Sequence, residues 1–256
     1  MHRGVLILYL LCGLALFRCG GGELLPEGDP AEQVAAATGY LEDGKSQKAL
    51  EAFQIIARTY PGTEWEEAAR FGIARSQRKM KDYPTALQLY ETFIRRFPRS
   101  EYVDDAAFES ALCYSDQRKK PQLDPEMNRK ALAGFEDFLA RYPESDLAPR
   151  AREEVAEARD HFAEKALMNG ITYTKLRRPG AARYYFQIIL NSYPESRHVP
   201  EALYRIGETH RKQKHREETV AALAELRSRF PDSSWTAKLA ARLGDDGIAR
   251  AGEGGD

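Results

Sequence analysis

An aromatic-Pro-x-Ser/Thr unit occurs five times in this chain of 256 residues: YPGT from Tyr60, FPRS from Phe97, YPES from Tyr142, YPES from Tyr193 and FPDS from Phe230. Twelve residues before the first four prolines stand Ala49, Ala86, Ala131 and Ala182, and eight before them stand Phe53, Tyr90, Phe135 and Phe186. The fifth copy is looser, with Thr219 and Leu223 at those offsets. An alanine four residues ahead of a large apolar residue puts both on one helix face. The small residue admits a neighbouring helix and the ring fills the space beside it. Proline disfavours helical geometry in the residue before it, so each helix ends at the aromatic. The Ser or Thr two places past the proline then suits the N-cap of the next helix, and Thr63 with Glu66 spells a capping box.

Small residues also mark a preceding helix: Ala37, Ala74, Gly170 and Gly207 fall twelve positions before Ala49, Ala86, Ala182 and Thr219, with Tyr40 and Tyr173 nine before Ala49 and Ala182. These positions resemble the tetratricopeptide repeat, a helix-turn-helix unit of about 34 residues. The expected fold is an all-α tetratricopeptide-repeat (TPR) superhelical solenoid of about five repeats. Proline spacings of 37, 45, 51 and 37 residues exceed that period at two places. One is the polar loop Asp116 to Asp124, with Asp124-Pro125 read as N-cap and N1 of the next helix. The other is Asp146 to Lys175, one long helix or two in series.

The N-terminus fixes the expected compartment. A basic start at His2 and Arg3 precedes fourteen mostly apolar residues, Gly4 to Phe17, too few to span a bilayer and suited to a signal peptide. Cys19 and three glycines follow, as in the lipid-modified cysteine and tether of bacterial lipoproteins, although Arg18 replaces the usual small residue before that cysteine. The expected organisation is a signal peptide over 1–18, a lipidated cysteine and tether over 19–28, the repeats over 29–243 and a disordered tail over 244–256. With Cys12 in the signal and Cys19 acylated, Cys113 is the one remaining thiol, so no intramolecular disulfide is expected; its apolar helical setting makes it a core residue.

A net charge of −1 argues against nucleic acid as a partner. Its distribution is uneven: Gly20 to Glu164 carries 20 Lys/Arg against 28 Asp/Glu, and Lys165 to Arg242 carries 15 against 7. The basic C-terminal half suits an acidic partner surface. Catalytic chemistry is not indicated. His210 and His215 are five apart, outside the i, i+4 spacing of a metal pair on one helix. No glycine-rich phosphate loop is present, and the adjacent carboxylates Asp104-Asp105 and Glu153-Glu154 point to different helix faces. No enzyme activity, cofactor or metal is expected. By repeat register, Phe71, Arg75 and Arg78 face a groove in the second repeat, and Tyr204, Glu208 and Arg211 in the fifth. Val34 and Thr38 stand where carboxylate-clamp repeats carry Lys and Asn, so that clamp is absent.

The lipoprotein-like signal, the five repeat ends, "YETFIRRFPRSEYVDDAAF", the loop ahead of "ALAGFEDFLARYPES" and the extended "FAEKALMNGITYTKLRRPGAARYYFQIILNSYPES" together resemble the BamD family, lipoprotein subunits of the outer-membrane β-barrel assembly (BAM) machinery. The resemblance runs from about Asp29 to Leu243. It implies a lipid-anchored scaffold on the periplasmic face of the bacterial outer membrane. Its implied partners are a BamA-type insertase, accessory BAM lipoproteins and unfolded outer-membrane β-barrel proteins. Position near the start of the fifth repeat makes Arg197, His198 and Arg205 docking candidates beside Tyr204 and Arg211. Another periplasmic TPR lipoprotein, a Tol-associated division coordinator or a secretin pilotin, is the alternative reading of the same features.

Overall fold

The computed structural model describes residues 24–118 and 125–245. Eleven helices and no strand occur among the described residues. They are α1 (Pro30–Glu42), α2 (Ser46–Thr59), α3 (Glu64–Lys79), α4 (Tyr83–Arg96), α5 (Val103–Ser115), α6 (Glu126–Arg141), α7 (Ala148–Lys175), α8 (Pro179–Ser192), α9 (Val199–Lys212), α10 (Arg216–Arg229) and α11 (Ser234–Asp245). Consecutive helices pack in pairs, odd-numbered first helices also touch across repeats at α1–α3, α3–α5 and α9–α11, and α11 closes the C-terminal end against α9 and α10. This nearest-neighbour stacking is the five-repeat solenoid that the proline period predicts.

All four alanine-aromatic pairs are buried: Ala49/Phe53, Ala86/Tyr90, Ala131/Phe135 and Ala182/Phe186 are each at most 2% exposed. Thr219 and Leu223 fill the same places in α10, and the Thr219 hydroxyl donates to the His215 carbonyl at 2.6 Å. Small residues opposite the rings set how closely the helices approach. A Cβ added at Gly170 in α7 would overlap the Phe186 ring of α8, and one at Gly207 in α9 would lie 2.7 Å from Leu239 in α11.

The repeat ends follow one design. Tyr60, Phe97, Tyr142, Tyr193 and Phe230 each close a helix by donating their N–H four residues back, at ψ between 53 and 59°. Arg96, Arg141 and Arg229 lie over the ring that follows them, at 5.1–5.5 Å. Three of the serines act about one turn earlier than a simple N-cap, whereas Ser233 directly precedes α11. Ser100, Ser145, Ser196 and Ser233 accept the N–H two residues on, and Ser100, Ser145 and Ser196 thereby cap a tight turn leading into α5, α7 and α9. The turn between the two helices of a repeat is a Schellman motif in repeats one, two, four and five, with Gly44, Lys81, Arg177 and Lys214 at φ from 54 to 75°.

The remaining helix boundaries also settle several expectations. The stretch Asp146 to Lys175 resolves into a single helix, α7, of 28 residues. Pro125 occupies the position before α6 instead of its first turn, and Asp124 lies outside the described residues. The capping box at Thr63 does not form. Gly62, at φ 76°, turns its N–H to Glu66 Oε2 at 2.7 Å, and the Thr63 hydroxyl donates instead to the Tyr60 carbonyl. The span 19–28 is not wholly a free tether, because Leu25 packs into the first-repeat core and Gln33 donates to the Pro26 carbonyl. Helix α11 runs to Asp245, two residues into the expected tail, whose remainder lies outside the described residues, as does Cys19.

Glu66 is 2% exposed and ties α3 to α4 by accepting from Arg70 Nε at 2.5 Å and Arg96 Nη2 at 2.8 Å. Burial pushes its pKa up, but the Gly62 N–H and the two guanidiniums outweigh burial and hold the carboxyl below the usual range. A depressed folded-state pKa contributes stability that is present above the ordinary glutamate value of 4.5 and is lost as pH falls through the folded value. Glu66→Gln should therefore cost about 1–3 kcal/mol at pH 7, with the gap to wild type narrowing below pH 4.5 in urea titrations followed by circular dichroism. The same assay checks packing: Gly170→Ala should cost about 1–3 kcal/mol. Gly180→Ala, with nothing within 4 Å of the added Cβ, should not lower stability.

Candidate functional site

The last turn of α7, the α7–α8 turn, α9 and α11 surround a cleft of about 690 Å³. Lys175, Arg177, Arg205, Lys212 and Arg242 line it against the single carboxylate of Glu208. Two of these cations are engaged: Arg205 Nη2 lies 2.6 Å from Glu201, and Lys212 lies 3.5 Å from Glu208. Glu208 also accepts from Arg211 Nε at 2.8 Å; burial alone would raise its pKa, but Arg211 and Lys212 keep it below the usual range. Lys175, Arg177 and Arg242 are exposed and form no ion pair among the described residues. Tyr204, also in the lining, packs against Trp235 with ring centroids 5.0 Å apart, and Lys238 Nζ lies 4.0 Å above the indole. The site therefore combines unpaired cations with an aromatic floor, suited to an acidic polypeptide surface.

The structure divides the sequence-predicted docking residues. Tyr204, Arg205 and Glu208 share this cleft, and Arg211 reaches it through Glu208. Arg197 and His198 do not line it. The Arg197 side chain is 70% exposed and lies 3.5 Å from Asp160, while His198 holds the N-cap of α9, its Nε2 buried without a partner. Asp160 belongs to a different opening, bounded by Arg152, Arg159, Tyr193 and Ser196.

The second repeat corrects the expected groove. Phe71 does not offer an open face: it is 7% exposed and packs on Tyr90, Phe93 and Tyr102. Its helix is enclosed between α1, α2, α4 and α5, so residues one turn apart already meet different neighbours. Arg78 is 12% exposed and spans α3 to α5, at 2.6 Å from Glu109 and 2.5 Å from Asp116. Arg75 retains 34% exposure, over the Phe71 ring and 3.6 Å from Glu109. Of the three, only Arg75 presents a substantial free surface. Cys113, in the same core, is fully buried, and burial pushes its thiol up to about 12. It packs as a small apolar group and not as a nucleophile.

The structure also brings two histidines together that lie outside helical i, i+4 spacing. Although five residues apart, His210 and His215 place their Nδ1 atoms 3.4 Å from each other. Lys214 between them adopts φ 63°, and a lysine gives no sequence signal of that left-handed turn.

These elements define an all-α TPR solenoid, and similarity to known proteins narrows the class. The profile of the YfiO family, described as outer membrane lipoprotein, matches residues 26–213, and a tetratricopeptide repeat profile matches 201–233. The chain belongs to the YfiO outer membrane lipoprotein family, as the BamD resemblance implied. It is 27% identical over 213 residues to the outer membrane protein assembly factor BamD of Caulobacter vibrioides, covering 83% of this chain and 70% of that one. The BamD of Rickettsia prowazekii is 27% identical over 195 residues, covering 76% and 78%. Among solved structures, the TPR2AB-domain:pHSP90 complex of yeast Sti1 matches with a TM-score of 0.44 and 14% identity over 86% of each chain. No helix among the described residues is long and apolar enough to cross a membrane.

Arg78 and Arg75 separate structural from surface roles. Arg78→Ala strands the half-buried Glu109 and Asp116 and should cost about 3–5 kcal/mol. Arg75→Ala should cost under about 1 kcal/mol, both measured by urea denaturation.

Proposed function

We propose that this protein is a non-enzymatic scaffold of the outer-membrane β-barrel assembly machinery. Acyl chains on Cys19 hold it to the periplasmic face of the outer membrane. The C-terminal repeats bind a BamA-type insertase, and the N-terminal repeats receive unfolded barrel proteins, with accessory lipoproteins completing the assembly. The observation that carries this reading is the family match from ahead of α1 to the end of α9. The basic cleft supplies a physical means of docking. Exposed Lys175, Arg177 and Arg242 attract an acidic surface, and Tyr204 with Trp235 offers an aromatic anchor where affinity concentrates. A rigid solenoid holds that anchor at a fixed distance from the first repeats, so substrate and insertase are brought together without covalent chemistry.

The test is affinity purification of tagged full-length protein from detergent-solubilised membranes, with mass spectrometry of what co-purifies. A BamA-type barrel protein should be recovered in near-equal amount. The Lys175→Glu/Arg242→Glu double variant should reduce its recovery at least about fivefold, since like charges now face each other. Recovery of Tol or secretin components in its place would overturn the function. Undiminished recovery by the variant would remove the cleft from the docking surface.

A further inference from the structure

The turn between α9 and α10 assembles three metal-ligating side chains. His210 lies in the last turn of α9, His215 is the N-cap of α10, and Glu218 is in the first turn of α10. One ligand atom from each lies within 4.8 Å of the other two. The backbone explains why. The His215 N–H donates to the His210 carbonyl at 3.0 Å and the Lys214 N–H to that of Arg211 at 3.0 Å, the two bonds of a Schellman motif. In that motif the residues five apart, C3 and C″, are brought side by side. Glu218, three residues after the N-cap, sits where a first-turn carboxylate reaches back toward the cap. Spacing that fails on a continuous helix thus succeeds across this turn.

We propose that His210, His215 and Glu218 form a binding site for one divalent transition-metal ion of the zinc class. Two imidazoles at Zn–N distances of 2.0–2.1 Å in a tetrahedral shell lie about 3.3 Å apart, and the two Nδ1 atoms stand at 3.4 Å. That separation is long for a hydrogen bond between imidazoles. Glu218 is exposed, so a rotation of its side chain closes the third position. The donor set of two nitrogens and one carboxylate oxygen suits Zn²⁺, Ni²⁺ or Cu²⁺ over Mg²⁺ or Ca²⁺, which prefer oxygen alone. His215 and Glu218 are both exposed, so the remaining coordination position opens to solvent. One group opposes the ion: Arg183 of α8, which donates to Gln213 within the turn. An ion here would clamp the end of α9 to the start of α10. It would also add positive charge beside Lys212 and Gln213 at the rim of the basic cleft.

The experiment is calorimetric titration of Zn²⁺ into chelator-stripped, polyhistidine-free full-length protein in detergent at pH 7.5, with Co²⁺ absorption as a second readout. One Zn²⁺ per chain should bind, and Co²⁺ should develop the visible bands of a tetrahedral site. His215→Ala, at an exposed position, should weaken binding at least about tenfold, no less than loss of an outer-shell partner does. Arg183→Gln should tighten it about threefold by removing a nearby positive charge. Absence of saturable binding would overturn the proposal and leave the histidines as a ring contact alone. Equal affinity in a His210→Ala/His215→Ala double variant would place any bound metal elsewhere and overturn it too.

Discussion

A large apolar side chain on the second helix of each repeat, a ring in the first four, fits against small residues on its neighbours, and every other feature of this solenoid depends on that fit. Ala182 and Phe186 are fully buried on α8, and the ring occupies the space left by the missing Cβ of Gly170 on α7. Dispersion attraction falls steeply with separation, so the close approach of helix backbones is worth more than apolar area alone suggests. It also fixes direction. Once the ring is seated, the helix can rotate little about its axis, and the angle at which it leaves toward the next repeat is set. The proline turn then needs only to stop one helix and start another. Five such turns, with similar ψ at the closing aromatic, accumulate into a superhelix.

Within and between repeats the apolar fit is supplemented by charge. Glu66 joins α3 to α4, Arg78 joins α3 to α5, and Arg118 joins the end of α5 to Glu154 of α7. These pairs are at most half exposed on one side, where a lone charge is costly, so each partner depends on the other for solvation. They specify which helix follows which more than they add net stability. The cations of the fifth-repeat cleft contrast with them. Arg242 and Lys175 are exposed and form no ion pair among the described residues, which is the electrostatic arrangement of a surface suited to a partner.

What could be read from the sequence follows the reach of each interaction. Ala49 with Phe53, or Phe97 with Pro98, lie within one or two turns of chain, and local sterics decide their geometry whatever surrounds them. The helical character of α7 is legible because no proline interrupts it after Pro149, but its being one helix and not two in series is decided by the structure. Phe71 was misread because an inner helix of a solenoid is covered on several sides, and period alone does not say which neighbour covers which turn. Arg78 was placed on an open groove because its partners are 31 and 38 residues away. The capping box at Thr63 failed for a local reason: Gly62, free to adopt a positive φ, presented its own N–H to Glu66 first.

The Schellman turns show how a repeat can vary chemically without changing shape. Their backbone bonds hold C3 and C″ side by side in four repeats, and the pairs there are Tyr40/Lys45, Gln77/Asp82, Tyr173/Arg178 and His210/His215. None of the eight side chains is needed to make those bonds, which use main-chain N–H and C=O groups alone. The left-handed residue between them is Gly44 in the first repeat but Lys81, Arg177 and Lys214 in the others, at a cost in backbone strain that the packed helices on either side sustain. Side chains at C3 and C″ are thereby rigidly placed, and whereas Tyr40 and Tyr173 also pack against the core, His215 is exposed. A paired imidazole there inherits its geometry from the fold, so its chemistry can be acquired or lost at two positions while the solenoid around it stays the same.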